Sequence, residues 1–238
     1  MLGIEEDKEW MVARIKGGTE DDLIKTRSCL LPDSTLPINV DVFRMALIHQ
    51  EKVLLCQVCD LINKIYREKP NANKLLKPDD YIFFACKLSP NPETLKIVFN
   101  EFREELPNSV PLHYCIMWRK FDLLVNLLDN LKFYKLDINK QDLHGMTPLH
   151  WAAETGEKYY DALVARKAST GMNEMILNND EKTPAEVVLR RSDDFFAHIL
   201  KTRINDIPEI VTKRVYDYLV TESHFTSYPF PPYEKKDE

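Results

Sequence analysis

The chain has 238 residues, a formal net charge of −6 and a pI of about 5.6. Its 44% hydrophobic and 29% charged residues are ordinary for a globular fold. Lys and Arg are scattered among acids, so there is no basic footprint for nucleic acid, and no apolar run is long enough to span a membrane.

The N-terminus "MLGIEEDKEW" lacks a signal-peptide apolar region. Five well-spread cysteines, Cys29, Cys56, Cys59, Cys86 and Cys115, are an odd count. Together these lead to the expectation of reduced thiols in the cytoplasm or nucleus.

Taken in chain order, the sequence reads as a succession of helix pairs. "EDKEWMVARIKGGTEDDLIKTRSCLL" breaks at Gly17 and Gly18, with Thr19 and Asp22 capping a second helix. "DVFRMALIHQEKVLLCQVCDLINKIY" repeats the pattern with no glycine. In "DDYIFFACKLSPNPETLKIVFNEF", Asn91 caps and Pro92 starts a helix with core positions Leu95, Val98, Phe99 and Phe102. "PLHYCIMWRKFDLLVNLLDNL" carries a leucine stripe at Leu123, Leu124, Leu127, Leu128 and Leu131.

The clearest copy is "LDINKQDLHGMTPLHWAAETGEKYYDALV", residues 136–164. Gly145 supplies the positive φ of a tight turn, and Asp142 offers a short acceptor to the turn backbone. Thr147 caps a helix that Pro148 starts, Gly156 ends it, and Tyr160, Leu163 and Val164 form the apolar face of a second helix. Downstream, "KTPAEVVLRRSDDFFAHIL" keeps Thr183 and Pro184, and Thr183 with Glu186 makes a capping box. It departs at Glu181, where a turn glycine belongs, and at Ala185 and Glu186, where Leu and His belong.

These parts resemble the ankyrin repeat, whose pattern runs D-x-x-G-x-T-P-L-H-x-A-A-x-x-G with a period near 33. Asp142, Gly145, Thr147, Pro148, Leu149, His150, Ala152, Ala153 and Gly156 all match it. Equating Ala13, Ala46, Ala85, Cys115, Ala152 and Val188 gives spacings of 33, 39, 30, 37 and 36. The resemblance implies an all-α ankyrin-repeat solenoid of about six helix-turn-helix repeats. Their approximate bounds are 4–33, 38–70, 77–105, 108–140, 142–178 and 180–204. The longer spacings place lengthened loops near 67–78 and 129–141. "NDIPEIVTKRVYDYLV" supplies a capping helix over 205–222, because a solenoid must cover its last core face. Residues 223–238 form a Pro/aromatic tail, read equally well as disordered or as a docking segment.

The sequence offers little chemistry of its own. A lone Cys56-x-x-Cys59 within an apolar helix fits core filling better than zinc or redox work. His113 and His150 hold the motif position, where the family's histidine bonds neighbouring turn backbone. No phosphate loop, dinucleotide fingerprint, zinc-protease motif or nucleophile elbow is present. The expectation is therefore no catalytic residue, no metal and no cofactor.

What the resemblance implies is a non-enzymatic module that binds a protein or peptide on the concave face, through the turn tips and first helices. The outward positions are Tyr114, Met117 and Trp118, then Leu143, His144, Met146, Trp151, Glu154 and Thr155, flanked by Asn108 and Lys182. Trp151, Tyr114 and Trp118 are of the residue types that anchor interfaces. An acidic chain favours a moderately basic protein partner. Two other readings stay open. One is a two-ended adaptor, such as a ubiquitin-ligase substrate adaptor or regulatory scaffold, whose C-terminal helix and tail recruit a second protein. The other is an enzyme on a helical-repeat scaffold.

Overall fold

The computed structural model describes residues 43, 44, 46, 47, 52–68, 78–89, 91–191 and 193–203. The expected repeat at 4–33, the capping helix at 205–222 and the tail at 223–238 lie outside the described residues. The chain divides into two compact units, Met1–Leu136 and Asp137–Glu238. Among the described residues the secondary structure is helical, with no strand.

The first unit holds α1 (Lys52–Glu68), α2 (Pro78–Leu88), α3 (Pro92–Glu101), a 3-10 turn at Leu106–Asn108, α4 (Pro111–Met117), α5 (Phe121–Asp129) and α6 (Leu131–Tyr134). Helix α3 starts as its sequence dictates. The Asn91 side chain accepts from the Thr94 N–H at 2.9 Å, and Pro92 occupies the first turn, where its missing N–H costs nothing. Its face of Leu95, Val98 and Phe99, continued by Phe102, is buried. The leucine stripe of α5 is buried in full, and each such side chain contributes roughly 1.5–3 kcal/mol.

Packing follows the repeat. First helix lies on first helix, α2 against α4, and second on second, α1 against α3 and α3 against α5. Aromatic rings fill the layer between: Tyr81 stacks on Phe102 with centroids 5.6 Å apart, and Phe43 meets Tyr81 edge-on at 5.1 Å. The short α6 occupies the lengthened 129–141 connection, and Lys135 closes it in the left-handed region at φ 53°.

The second unit holds α7 (Pro148–Thr155), α8 (Glu157–Val164), α9 (Lys167–Thr170), α10 (Pro184–Arg191) and α11 (Asp193–Thr202). Helix α7 packs on α10 and on α8, and α10 on α11. Tyr160, Leu163, Phe196, Ile199 and Leu200 line the core, and Tyr160 meets Phe195 edge-on at 5.7 Å. Glu174 and Arg203 form a buried ion pair at 2.6 Å, with Lys167 at 3.6 Å from the other Glu174 oxygen.

The equated positions that are described share one property, burial. Ala46, Ala85, Cys115, Ala152 and Val188 are each 0% exposed. Glu181 lies 36 residues after Gly145 and adopts the same left-handed backbone, at φ 58° against 69°. Lys135 lies 36 residues before Gly171 and does likewise, at 53° against 71°. The turn geometry is thus kept where glycine is not.

Candidate interaction surfaces

In the second unit, Asp142 organises the turn that precedes α7. One carboxylate oxygen, Oδ1, accepts from the backbone N–H of His144 at 2.8 Å and of Met146 at 2.9 Å. The other, Oδ2, accepts from the indole N–H of Trp151 at 2.8 Å. Trp151 is half-buried, and the turn fixes its ring. His150 links repeats. Its Nδ1 accepts from the Thr147 N–H at 3.1 Å, and its Nε2 lies 2.9 Å from the Lys182 carbonyl, to which it donates. Burial holds this imidazole at a pKa of about 4, against a smaller opposing pull from Asp142, so the ring is neutral at pH 7.

The next repeat rebuilds the same network from other residues. Asn178, 36 positions after Asp142, accepts through Oδ1 from the N–H groups of Asp180 and Lys182, both at 3.0 Å. Glu186 does the work of His150 at the cap, accepting from the Thr183 N–H at 2.8 Å and from its hydroxyl at 3.0 Å.

Of the outward positions expected in this unit, Leu143 is 95% exposed at the turn tip, His144 and Glu154 are exposed, and Thr155 is half-buried. Met146 corrects the expectation. It is only 7% exposed, and its sulfur accepts from the Asn178 side-chain N–H at 3.2 Å. The turn that frees Leu143 points the residue after Gly145 into the contact with the following turn, so Met146 offers no contact surface.

In the first unit, Tyr114, Met117 and Trp118 are half-buried. They do not stand alone. Asp79, Phe83 and Lys87 follow one another at four-residue steps along α2, a single face of the helix. Each meets an aromatic of α4 or its C-cap. The Tyr114 hydroxyl donates to Asp79 Oδ2 at 2.8 Å. The Phe83 ring lies edge-on to Tyr114 at 5.1 Å and to Trp118 at 5.7 Å. Lys87 Nζ sits 4.3 Å from the centre of the Trp118 ring, in cation–π range. Burial, followed by the Asp79 hydrogen bond and charge, pushes the Tyr114 phenol far above its ordinary range. Sequence reading missed Asp79, Phe83 and Lys87. Their i, i+4, i+8 spacing in "PDDYIFFACKL", facing Tyr114 and Trp118 at i, i+4, was the available signal.

Other groups have a structural character. Burial pushes the thiols of Cys59 and Cys86 well up, which makes them poor nucleophiles. Cys56 is half-buried, and burial raises it as well. Among the described residues no three His, Cys, Asp or Glu side chains gather to hold a metal ion, and no helix is long and apolar enough to cross a membrane.

Comparison with known proteins agrees with this geometry. The family model for ankyrin repeats in many copies matches residues 112–164. A Rickettsia bellii (strain RML369-C) protein named for its ankyrin repeats is 25% identical over 88 residues, which is 36% of this chain and 89% of that protein. The matched span covers the repeat with the leucine stripe and the Asp142–Trp151–His150 network. Residues 112–164 thus belong to the ankyrin-repeat family.

Proposed function

We propose that this chain is a non-enzymatic module that binds a protein or peptide on the turn tips and first helices of its repeats. Ankyrin repeats generally mediate protein–protein interaction. The observation that carries the reading is the division of labour within single helices. Cys115 is fully buried in α4, while Tyr114 and Trp118 beside it remain half-exposed. Ala152 is fully buried in α7, next to the half-exposed Trp151. Large aromatics held rigid by neighbours and open to solvent on one side are the groups that anchor interfaces, because little rotamer freedom is left to lose.

In the second unit, Leu143, His144, Glu154 and Thr155 surround Trp151 in sequence and supply its contact surface. In the first, Met117 extends the surface of Tyr114 and Trp118. The test is affinity capture from the native source with wild type beside two variants, Tyr114→Ala/Trp118→Ala and Trp151→Ala. A partner lost from either variant while circular dichroism shows a folded chain supports the reading. Capture that is unchanged in both folded variants would remove these aromatics from the interface.

A further inference from the structure

We propose that the Asp79–Phe83–Lys87 face of α2, with Tyr114 and Trp118, binds a short extended segment of a protein partner whose side chains run cation, apolar, anion along it. This rests on the reading that the first helices carry the partner, and it states what chemistry that partner brings.

The ladder is bipolar. At one end stands the Asp79 carboxylate. Its Oδ2 accepts from Tyr114, while its Oδ1 is buried without a hydrogen-bond partner. At the other end are only donors, the Lys87 ammonium and the Trp118 indole N–H, and the indole nitrogen is likewise buried without a partner. Between them lie the Phe83, Tyr114 and Trp118 rings.

Each simpler ligand leaves something unmet. A uniformly basic segment places a positive charge against Lys87, and a uniformly acidic one places a negative charge against Asp79. A neutral apolar segment leaves the Asp79 carboxylate and the Lys87 ammonium without a counter-charge. Only a segment with opposite charges at its two ends matches every group. Asp79 and Lys87 are eight residues apart, about 12 Å along a helix. An extended chain covers that distance in about four residues at roughly 3.3 Å each. The partner segment therefore carries a basic and an acidic side chain about four positions apart, with apolar residues between.

The test uses the full chain and synthetic nine-residue peptides. Arg and Glu stand four positions apart around Leu or Phe, in both orders, beside same-sign and uncharged controls, with binding read by fluorescence anisotropy. A bipolar peptide in one order should bind at least tenfold tighter than any control. Asp79→Asn, which keeps an acceptor for Tyr114, should erase the contribution of Arg, and Lys87→Gln should erase that of Glu. The exchange Asp79→Lys/Lys87→Asp should reverse the preferred order. No preference for bipolar peptides, or a preference that survives the exchange in a folded protein, overturns the inference. If bipolar preference is absent while Tyr114→Ala/Trp118→Ala still loses the partner captured from the native source, the inference falls and the broader function stands.

Discussion

Gly145→Ala tests how tightly the two turns of the second unit are fitted together. Gly145 sits at φ 69°, a left-handed conformation that costs a residue with a Cβ about 1 kcal/mol. A methyl group there would also run into Asn179, meeting its side-chain oxygen and its backbone nitrogen, the latter at 2.8 Å. A backbone atom cannot swing aside alone. The Asn179 N–H donates to the His144 carbonyl at 3.1 Å, and its side-chain amide donates to the Leu143 carbonyl at 3.2 Å. Moving the strand of chain at Asn179 loosens both bonds, each worth about 1 kcal/mol. The expected loss is about 3 kcal/mol. Gly171→Ala is the matched control, since Gly171 has nearly the same φ, 71°, but a Cβ there meets nothing within 4 Å. That variant should lose only about 1 kcal/mol, the cost of the left-handed conformation alone. Urea unfolding followed by far-UV circular dichroism measures both. Equal losses within about 0.5 kcal/mol would refute the claim that turn-to-turn contact, and not φ alone, demands glycine at 145.

Other expectations follow from the same geometry. Glu181→Gly and Lys135→Gly should each raise the unfolding free energy by about 0.5 kcal/mol, seen as a higher urea midpoint, since each relieves a left-handed non-glycine residue. Removing one partner of the buried Glu174–Arg203 pair, as in Glu174→Gln, should cost about 3 kcal/mol in the same assay, and an unchanged midpoint would show the pair to be dispensable. The depressed pKa of His150 gives stability that is complete above pH 6.5 and is lost as the pH falls through about 4. That loss is at most about 3 kcal/mol before solvent screening. His150→Gln should flatten this part of the pH–stability curve, and an identical slope in the variant would assign the acid sensitivity to other groups.

Much of this architecture was legible because the repeat writes its scaffold in residue types with few substitutes. Thr147, Pro148 and Gly145 reveal a cap, a helix start and a turn by their own backbone chemistry. The run of Ala46, Ala85, Cys115, Ala152 and Val188 reveals where helices touch. What was not legible depends on direction. Met146 occupies a variable position in the family pattern, yet its side chain goes inward, because the following turn offers Asn178 as a partner 32 residues away. The network of Asp142 and His150 reappears with Asn178 and Glu186, and only hydrogen-bond geometry shows the equivalence. Phe83 in "DDYIFFACKL" looks like core beside Tyr81 and Ile82. Its half-exposure becomes visible only when α2 is rotated against α4, with Tyr81 and Ile82 inside.

The two oxygens of Asp142 have a consequence for recognition. One holds the backbone of the turn and the other holds the indole of Trp151, so ring and turn tip form a single rigid piece. A ligand resting on Trp151 would meet a ring already fixed by Asp142, with little rotamer freedom left to freeze, which removes part of the entropy that association otherwise loses. The same coupling sets a limit. A ligand that needs the indole elsewhere must first undo the turn, so this surface suits partners that match its standing shape over those that would remould it.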